Sequence, residues 1–295
     1  MRRLEEALQI HLQTMEPLAG GMWGRTFLIE DGCGKWVARV ARNPKSRMRR
    51  IPAVQGRARA AGIEAPMVLA HGVEQIDAED WVWIVEEYIQ GDHFLPGELE
   101  EDCRRATTAD VGRQLRLLHA VEVDGFWRLE ADLNSAQYAT CRDWIDSQRP
   151  NLETATEIFT IDSSHIRQIT EVFDEVGSSY SGKGRLCHGD YSSDNLLVRD
   201  NRLVAAIDWE NAVACDPAYD VAYWYHWDSN EQWLEEFLVG YDSPDGDAFR
   251  RRTIAHSVLL SLGFVVWYAV DQSDRQSAED SLRSLRRNLA VLKRS

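Results

Sequence analysis

The sequence predicts an α+β fold in two lobes: a small mixed sheet with one helix, then a larger and mainly helical part. Three observations carry this. Up to residue 92, short runs rich in apolar and β-branched residues alternate with glycine-bearing turns, as half-buried strands require. Beyond the Leu95-Pro96-Gly97 break the spacing becomes helical, with Val111, Leu115 and Leu118 at i, i+4 and i+7. A length of 295 residues is enough for two lobes that each bury a core, expected at residues 1–92 and 93–295.

In chain order, residues 2–14 have helical spacing, and 22–29 and 35–41 read as strands around the turn Glu30-Asp31-Gly32-Cys33-Gly34. Residues 52–61 read as a helix whose proline sits in the tolerated first turn. Two more strands follow at 67–71 and 81–88. In the second lobe, helices are expected over 107–120, 142–145 and within 151–176, the latter two as walls of an acceptor site or as ordinary core and surface helices. The apolar run 257–270 is interrupted by Ser261 and Gly263 and falls short of about 18 uninterrupted apolar residues, so it reads as a core helix rather than a membrane span. Ser277-Ala278-Glu279-Asp280 resembles a capping box, opening a helix with Leu282, Leu285, Leu289 and Leu292 on one stripe.

The most informative stretch is Leu186-Cys187-His188-Gly189-Asp190-Tyr191-Ser192-Ser193-Asp194-Asn195, followed by Ala206-Ile207-Asp208-Trp209-Glu210. Leu196-Leu197-Val198 and residues 203–207 read as strands around the turn Arg199-Asp200-Asn201-Arg202, which brings Asn195 and Asp208 to one end of a hairpin. A carboxylate and an amide oxygen are hard donors of the kind that hold magnesium against phosphates. Asp190 is then free to accept a proton from a hydroxyl, the division of labour that phosphoryl transfer needs. Singly, each residue has a plainer reading, as a turn former, a helix cap or a core histidine. The joint spacing overrides it.

With Asp216-Pro217-Ala218-Tyr219-Asp220 added, these residues resemble the aminoglycoside phosphotransferase and choline kinase-like family, which shares the protein kinase fold. The resemblance extends over most of the chain, through Leu18-Ala19-Gly20-Gly21, Val37-Ala38-Arg39-Val40, Val85-Glu86-Glu87-Tyr88-Ile89-Gln90-Gly91 and Leu118-His119. It implies ATP or GTP as co-substrate and Mg2+ as cofactor. Asp190 would be the catalytic base, Asn195 and Asp208 the metal ligands, and Asp220 a support for the catalytic loop. Gly20 and Gly21 would approach the phosphates, Arg39 would reach the α and β phosphates, and the Glu86 carbonyl and Tyr88 N–H would meet the purine edge. Two positions depart from the pattern: Cys215 stands where glycine is usual, and Arg39 where protein kinases have lysine. A third departure concerns charge: residues 41–63 contain no Asp or Glu, so the acid that normally holds the strand cation is missing from its helix. Gln55 is the candidate replacement, its amide oxygen accepting from the guanidinium, with a solvent-facing glutamine as the alternative.

The acceptor class that leads is an aminoglycoside or related cationic natural product. Macrolides, homoserine, choline-like alcohols and methylthioribose are the alternatives within the chemistry, and a non-catalytic nucleotide sensor or scaffold is the alternative outside it. Residues 1–63 carry 12 Lys/Arg against 5 Asp/Glu and the remainder 21 against 43, so the net charge of −15 is strongly polarised. Such a field favours a triphosphate at one lobe and a cation at the other, unless the acidic surface serves solubility alone. The basic run Arg42, Lys45, Arg47, Arg49, Arg50 lacks stacking aromatics, which argues against nucleic acid as a partner. Five scattered cysteines and an N-terminus without a signal-peptide pattern fit a reducing cytoplasm. Nothing in the sequence specifies an oligomeric state.

Overall fold

A computed structural model describes residues 13–18, 24–30, 34–42, 47–76, 79–130, 132–228 and 231–294. The predicted helix at 2–14 lies almost wholly outside them, and Thr14 instead begins a strand. The chain forms two compact units, residues 1–94 with 194–211, and residues 95–193 with 212–295.

The first unit is built on an antiparallel sheet in the order β1-β2-β3-β5-β4. Its strands are β1 (Thr14–Leu18), β2 (Arg25–Glu30), β3 (Lys35–Arg42), β4 (Val68–Ile76) and β5 (Glu79–Glu87). Between β3 and β4 runs α1 (Ile51–Ala60), which turns Ile51, Val54, Gln55 and Ala58 inward at helical spacing. Burial of each large apolar side chain there contributes about 1.5–3 kcal/mol. A second, three-stranded sheet joins β6 (Asp92–His93) to β11 (Leu196–Arg199) and β12 (Arg202–Ala206). Leu197 faces His93 and Val198 faces Asp92, and the Phe94 N–H donates to the Leu196 carbonyl at 2.8 Å. This pairing is why residues 194–211 go with the first unit, although the sequence boundary at 92 places them beyond it.

The second unit contains a feature the sequence did not disclose, a five-stranded antiparallel sheet in the order β7-β10-β13-β8-β9. Its strands are β7 (Glu122–Val123), β8 (Phe126–Leu129), β9 (Ala136–Tyr138), β10 (Gly184–Cys187) and β13 (Val213–Cys215). The helices are α2 (Glu101–Leu118), α3 (Cys141–Asp146), α4 (Pro150–Ile158), α5 (Ser163–Ser179), α6 (Ala218–Asp228), α7 (Glu231–Tyr241), α8 (Asp247–Val266) and α9 (Arg275–Leu292). The stretch 151–176 is therefore two helices, interrupted at Phe159 where the backbone becomes extended.

By length and composition the helical stretch Asp247–Asp271 is apolar enough to cross a membrane. Here it packs against α6 and α9, with Ile254, Ala255, Val258, Leu262 and Val265 buried. Asn288 of α9 donates to the Ser257 carbonyl at 3.3 Å and to Ser261 Oγ at 3.2 Å. The cap of α9 is Asp274 rather than Ser277: its carboxylate accepts from the Ser277 N–H at 3.1 Å and hydroxyl at 2.6 Å.

Candidate active site

In the first unit the β11–β12 hairpin places the predicted metal ligands. Asp200 and Asn201 adopt left-handed φ values of 52° and 60°, the pair of conformations that a two-residue hairpin turn demands. Leu196 faces Ala206, and at the open end the Ile207 N–H donates to the Asn195 carbonyl at 2.9 Å. Asn195 and Asp208 thus sit one residue out of register at one end. Asp208 has φ 65°, a conformation that costs a residue with a Cβ and is held by its surroundings. Trp209, fully buried, anchors it by donating from Nε1 to the Ala206 carbonyl at 2.8 Å.

Arg39 reaches this end from β3. Its Nη2 lies 2.7 Å from Asp208 Oδ1 and 3.5 Å from Glu210 Oε2, with the side chain 11% exposed. Burial works against its charge, but Asp208, Glu86 and Glu210 together hold its pKa above the ordinary value.

Gln55 is not the acceptor for Arg39. It is buried, not solvent-facing, and donates from Nε2 to Glu86 Oε1 at 2.6 Å. Glu86 is itself 5% exposed. Burial pushes its carboxyl up, while Arg39 and the Gln55 hydrogen bond pull it back. The acids around Arg39 thus come from β5 and from the segment after β12. Sequence reasoning had fixed on the Glu86 carbonyl and missed its side chain, and had passed over Glu210, whose signal was its place two residues after Asp208. Tyr88, one residue past β5, is 40% exposed. Gly20 and Gly21 lie outside the described residues; Gly24, at the foot of β2, is packed so closely that a Cβ there would stand 2.9 Å from the Val40 carbonyl oxygen.

The second unit carries Asp190. Strand β10 runs into His188-Gly189-Asp190, and Gly189 takes φ 78°, a turn open to glycine at no cost. From α6, Asp220 accepts the His188 N–H at 2.6 Å and the Gly189 N–H at 2.8 Å. It also lies 3.1 Å from His119 Nε2, and His119 Nδ1 lies 2.8 Å from the Tyr241 hydroxyl. Burial opposes the charge on this histidine, but hydrogen bonding to Cys187 and to the Asp220 carboxylate, with the charge of Asp220, raises its pKa to about 9.

His119, Cys187 and Asp220 are close enough to suggest a metal site. Their chemistry points elsewhere: burial keeps Cys187 a thiol, pushed well above its usual range, and Asp220 is engaged with loop amides. This cluster supports the loop.

Asp190 is half-buried, and Tyr223 of α6 lies within hydrogen-bonding reach; burial and the Asp190 charge push that phenol well up. The aromatic segment after Asp216 divides sharply. Tyr219, Trp224 and Tyr225 are core, whereas Trp227 is 46% exposed. Trp227, Tyr223, Trp267 and Tyr268 all contact the ring of Phe264. Trp144 in α3, by contrast, is buried and stacks on Trp127 at 5.3 Å, so this segment is core. Behind Cys215, Asp216 accepts from Arg252 Nε at 3.2 Å and from the Ala218 N–H at 3.0 Å.

A model of the phosphotransferase enzyme family matches residues 14–252. Among solved structures, the chain is similar to the aminoglycoside phosphotransferase APH(4)-Ia, with a TM-score of 0.76, 20% identity, and coverage of 98% of this chain and 97% of that one. A ternary complex of a thermostable mutant of that enzyme with AMP-PNP and hygromycin B gives 0.76 at 21% identity, over 98% and 97% of the two chains. The GDP and kanamycin complex of APH(2")-IIIa gives 0.72 at 18%, over 97% of each. At these identities the likeness fixes the fold, which is that of the kinase-like aminoglycoside phosphotransferases.

Proposed function

Since the chain belongs to the phosphotransferase enzyme family, we propose that it transfers the γ-phosphoryl group of ATP or GTP to a hydroxyl of an aminoglycoside-like or other natural-product acceptor. One observation carries the reading of the site: Asp220 clamps both amides of His188-Gly189 and so fixes the loop that presents a half-buried Asp190. In this reading the Asp190 carboxylate takes the proton of the acceptor hydroxyl as its oxygen bonds to the γ-phosphorus, and the bond from that phosphorus to the β–γ bridging oxygen breaks to release the nucleoside diphosphate. The Tyr223 hydroxyl orients Asp190.

The Asn195 amide and the Asp208 carboxylate, set at one end of the hairpin, form a donor set that fits Mg2+. Bound there, the ion would neutralise phosphate charge. Arg39 is placed to turn from Asp208 to the phosphates, and its planar fork suits two oxygens at once. The half-exposed rings around Phe264, joined to Asp190 through Tyr223, supply stacking faces for a ring-shaped acceptor.

We place the reaction in a reducing cytoplasm, where Cys103, Cys141, Cys187 and Cys215, all free, remain thiols. Where the acceptor is an antibiotic, the phosphorylated product would no longer fit its target and the enzyme would confer resistance. The test is a panel of hydroxyl compounds, aminoglycosides first, incubated with labelled ATP and labelled GTP and read by the mass shift of the acceptor. Gain of one phosphoryl group on a panel member is expected, and its absence across aminoglycosides removes that acceptor class.

A further inference from the structure

We propose that Glu86, carried on the sheet and oriented by Gln55, is the acid that positions Arg39 for the nucleotide in place of a helix carboxylate; the proposal rests on the phosphoryl-transfer reading above. Helix α1 offers Arg39 no carboxylate, because residues 41–63 contain none. The ion pair made with Asp208 at 2.7 Å is one that a metal-bound nucleotide competes for, since it occupies a carboxylate oxygen that Mg2+ would also claim. A guanidinium so thoroughly desolvated needs counter-charge that stays with it when Asp208 turns to the metal; Glu210 Oε2, 3.5 Å from Nη2, supplies part of it from the segment after the hairpin, and Glu86 supplies the part that comes from the sheet.

Glu86 meets that need by register. Arg39 faces Ile84 across the β3–β5 pair and Val37 faces Glu86, so Arg39 and Glu86 are diagonal neighbours on one face of the sheet. Glu86 in turn is held by the 2.6 Å bond from Gln55 Nε2. Both side chains are more than nine-tenths buried, so this bond is made away from competing water. A glutamine on α1 gives Glu86 a donor without adding charge. The negative charge that a helix acid would bring is supplied from β5, and the amide ties helix to sheet.

The test compares the parent, Glu86→Gln, and the exchange variant Gln55→Glu/Glu86→Gln, which returns the carboxylate to the helix. The readouts are the Kd for ATP with and without Mg2+, by calorimetry, and the Tm of the free protein. Glu86→Gln should weaken Mg-ATP binding about tenfold, the size expected for loss of one buried counter-charge beside the guanidinium. The exchange should recover most of that affinity, because the negative charge removed from β5 is returned to the same hydrogen-bonded pair. A parent-like Kd in Glu86→Gln overturns the proposal, as does an exchange variant that fails to fold or folds without regaining affinity, for Glu86 would then serve burial alone. Should Glu86→Gln itself not fold, the exchange variant decides by the same criterion. A parent that binds no Mg-nucleotide overturns the phosphoryl-transfer reading as well; unaltered binding in Glu86→Gln beside a binding parent overturns only the role of Glu86.

Discussion

Asp190 follows a glycine whose amide is held by Asp220, and its carboxylate lies within hydrogen-bonding reach of the Tyr223 hydroxyl. Asp190→Asn is expected to lower turnover about a hundredfold or more with nucleotide Kd unchanged; parent-like turnover would remove the base assignment. Asp208 binds Arg39 and is the stronger candidate ligand, so Asp208→Ala should move the Mg2+ titration of activity further than Asn195→Ala does. Identical titrations in parent and both variants would end the metal role. His119 makes a claim about pH. Its folded pKa of about 9 lies above the ordinary value of 6.5, so its contribution is complete below pH 6.5 and is lost as pH rises through 9. His226, lowered to about 4 by burial, acts on the other side, costing stability as pH falls below 6.5. The Tm should therefore decline between pH 6.5 and 9, and His119→Gln should flatten that limb alone; an unchanged limb would mean the His119–Asp220 contact is not an ion pair.

At the scale of elements, α2 and α7 meet through glycine. A Cβ on Gly240 would stand 1.8 Å from the Ala109 carbonyl oxygen, and one on Gly112 2.3 Å from that of Phe237. Gly240→Ala must push two backbones apart and is expected to cost about 1–3 kcal/mol or more, read as a lower denaturant midpoint at unchanged m. The sequence signals nothing of this, because a glycine inside a helix looks only like a weak helix former. Legibility elsewhere followed the length of the local pattern. The β11–β12 hairpin was readable because two apolar runs flank Asp200-Asn201, and α1 because its inward face repeats over ten residues. The sheet of the second unit was not, since strands of two to four residues are too short to show a period of two. Glu86 and Gln55 failed differently: each was visible, but their meeting depends on how α1 lies against β5, which no spacing along the chain encodes.

On the scale of the whole molecule, charge is the property that acts at a distance. With +7 over residues 1–63 and −22 over the rest, the longer part of the chain is the acidic one, and its field can act on an acceptor. If it steers a cationic one, KM for a cationic acceptor should rise more steeply with ionic strength than KM for a neutral analogue; equal slopes would return that charge to solubility. A different consequence lies in the path of the chain, which leaves the second unit after Ser193, builds the Asn195–Asp208 hairpin in the first, and returns at Ala212. Two residues before Asn195 the polypeptide still belongs to the unit of Asp190. The two units are therefore not exchangeable cassettes. A genetic crossover at residue 94 would give one parent's β6 the other parent's β11, and would mismatch the Asp208 end of the hairpin with an Arg39 that evolved beside another. Recombination at that point cuts through the β6–β11 pairing, so exchange by substitution within an inherited pair of units is expected to be tolerated better than a swap of whole units.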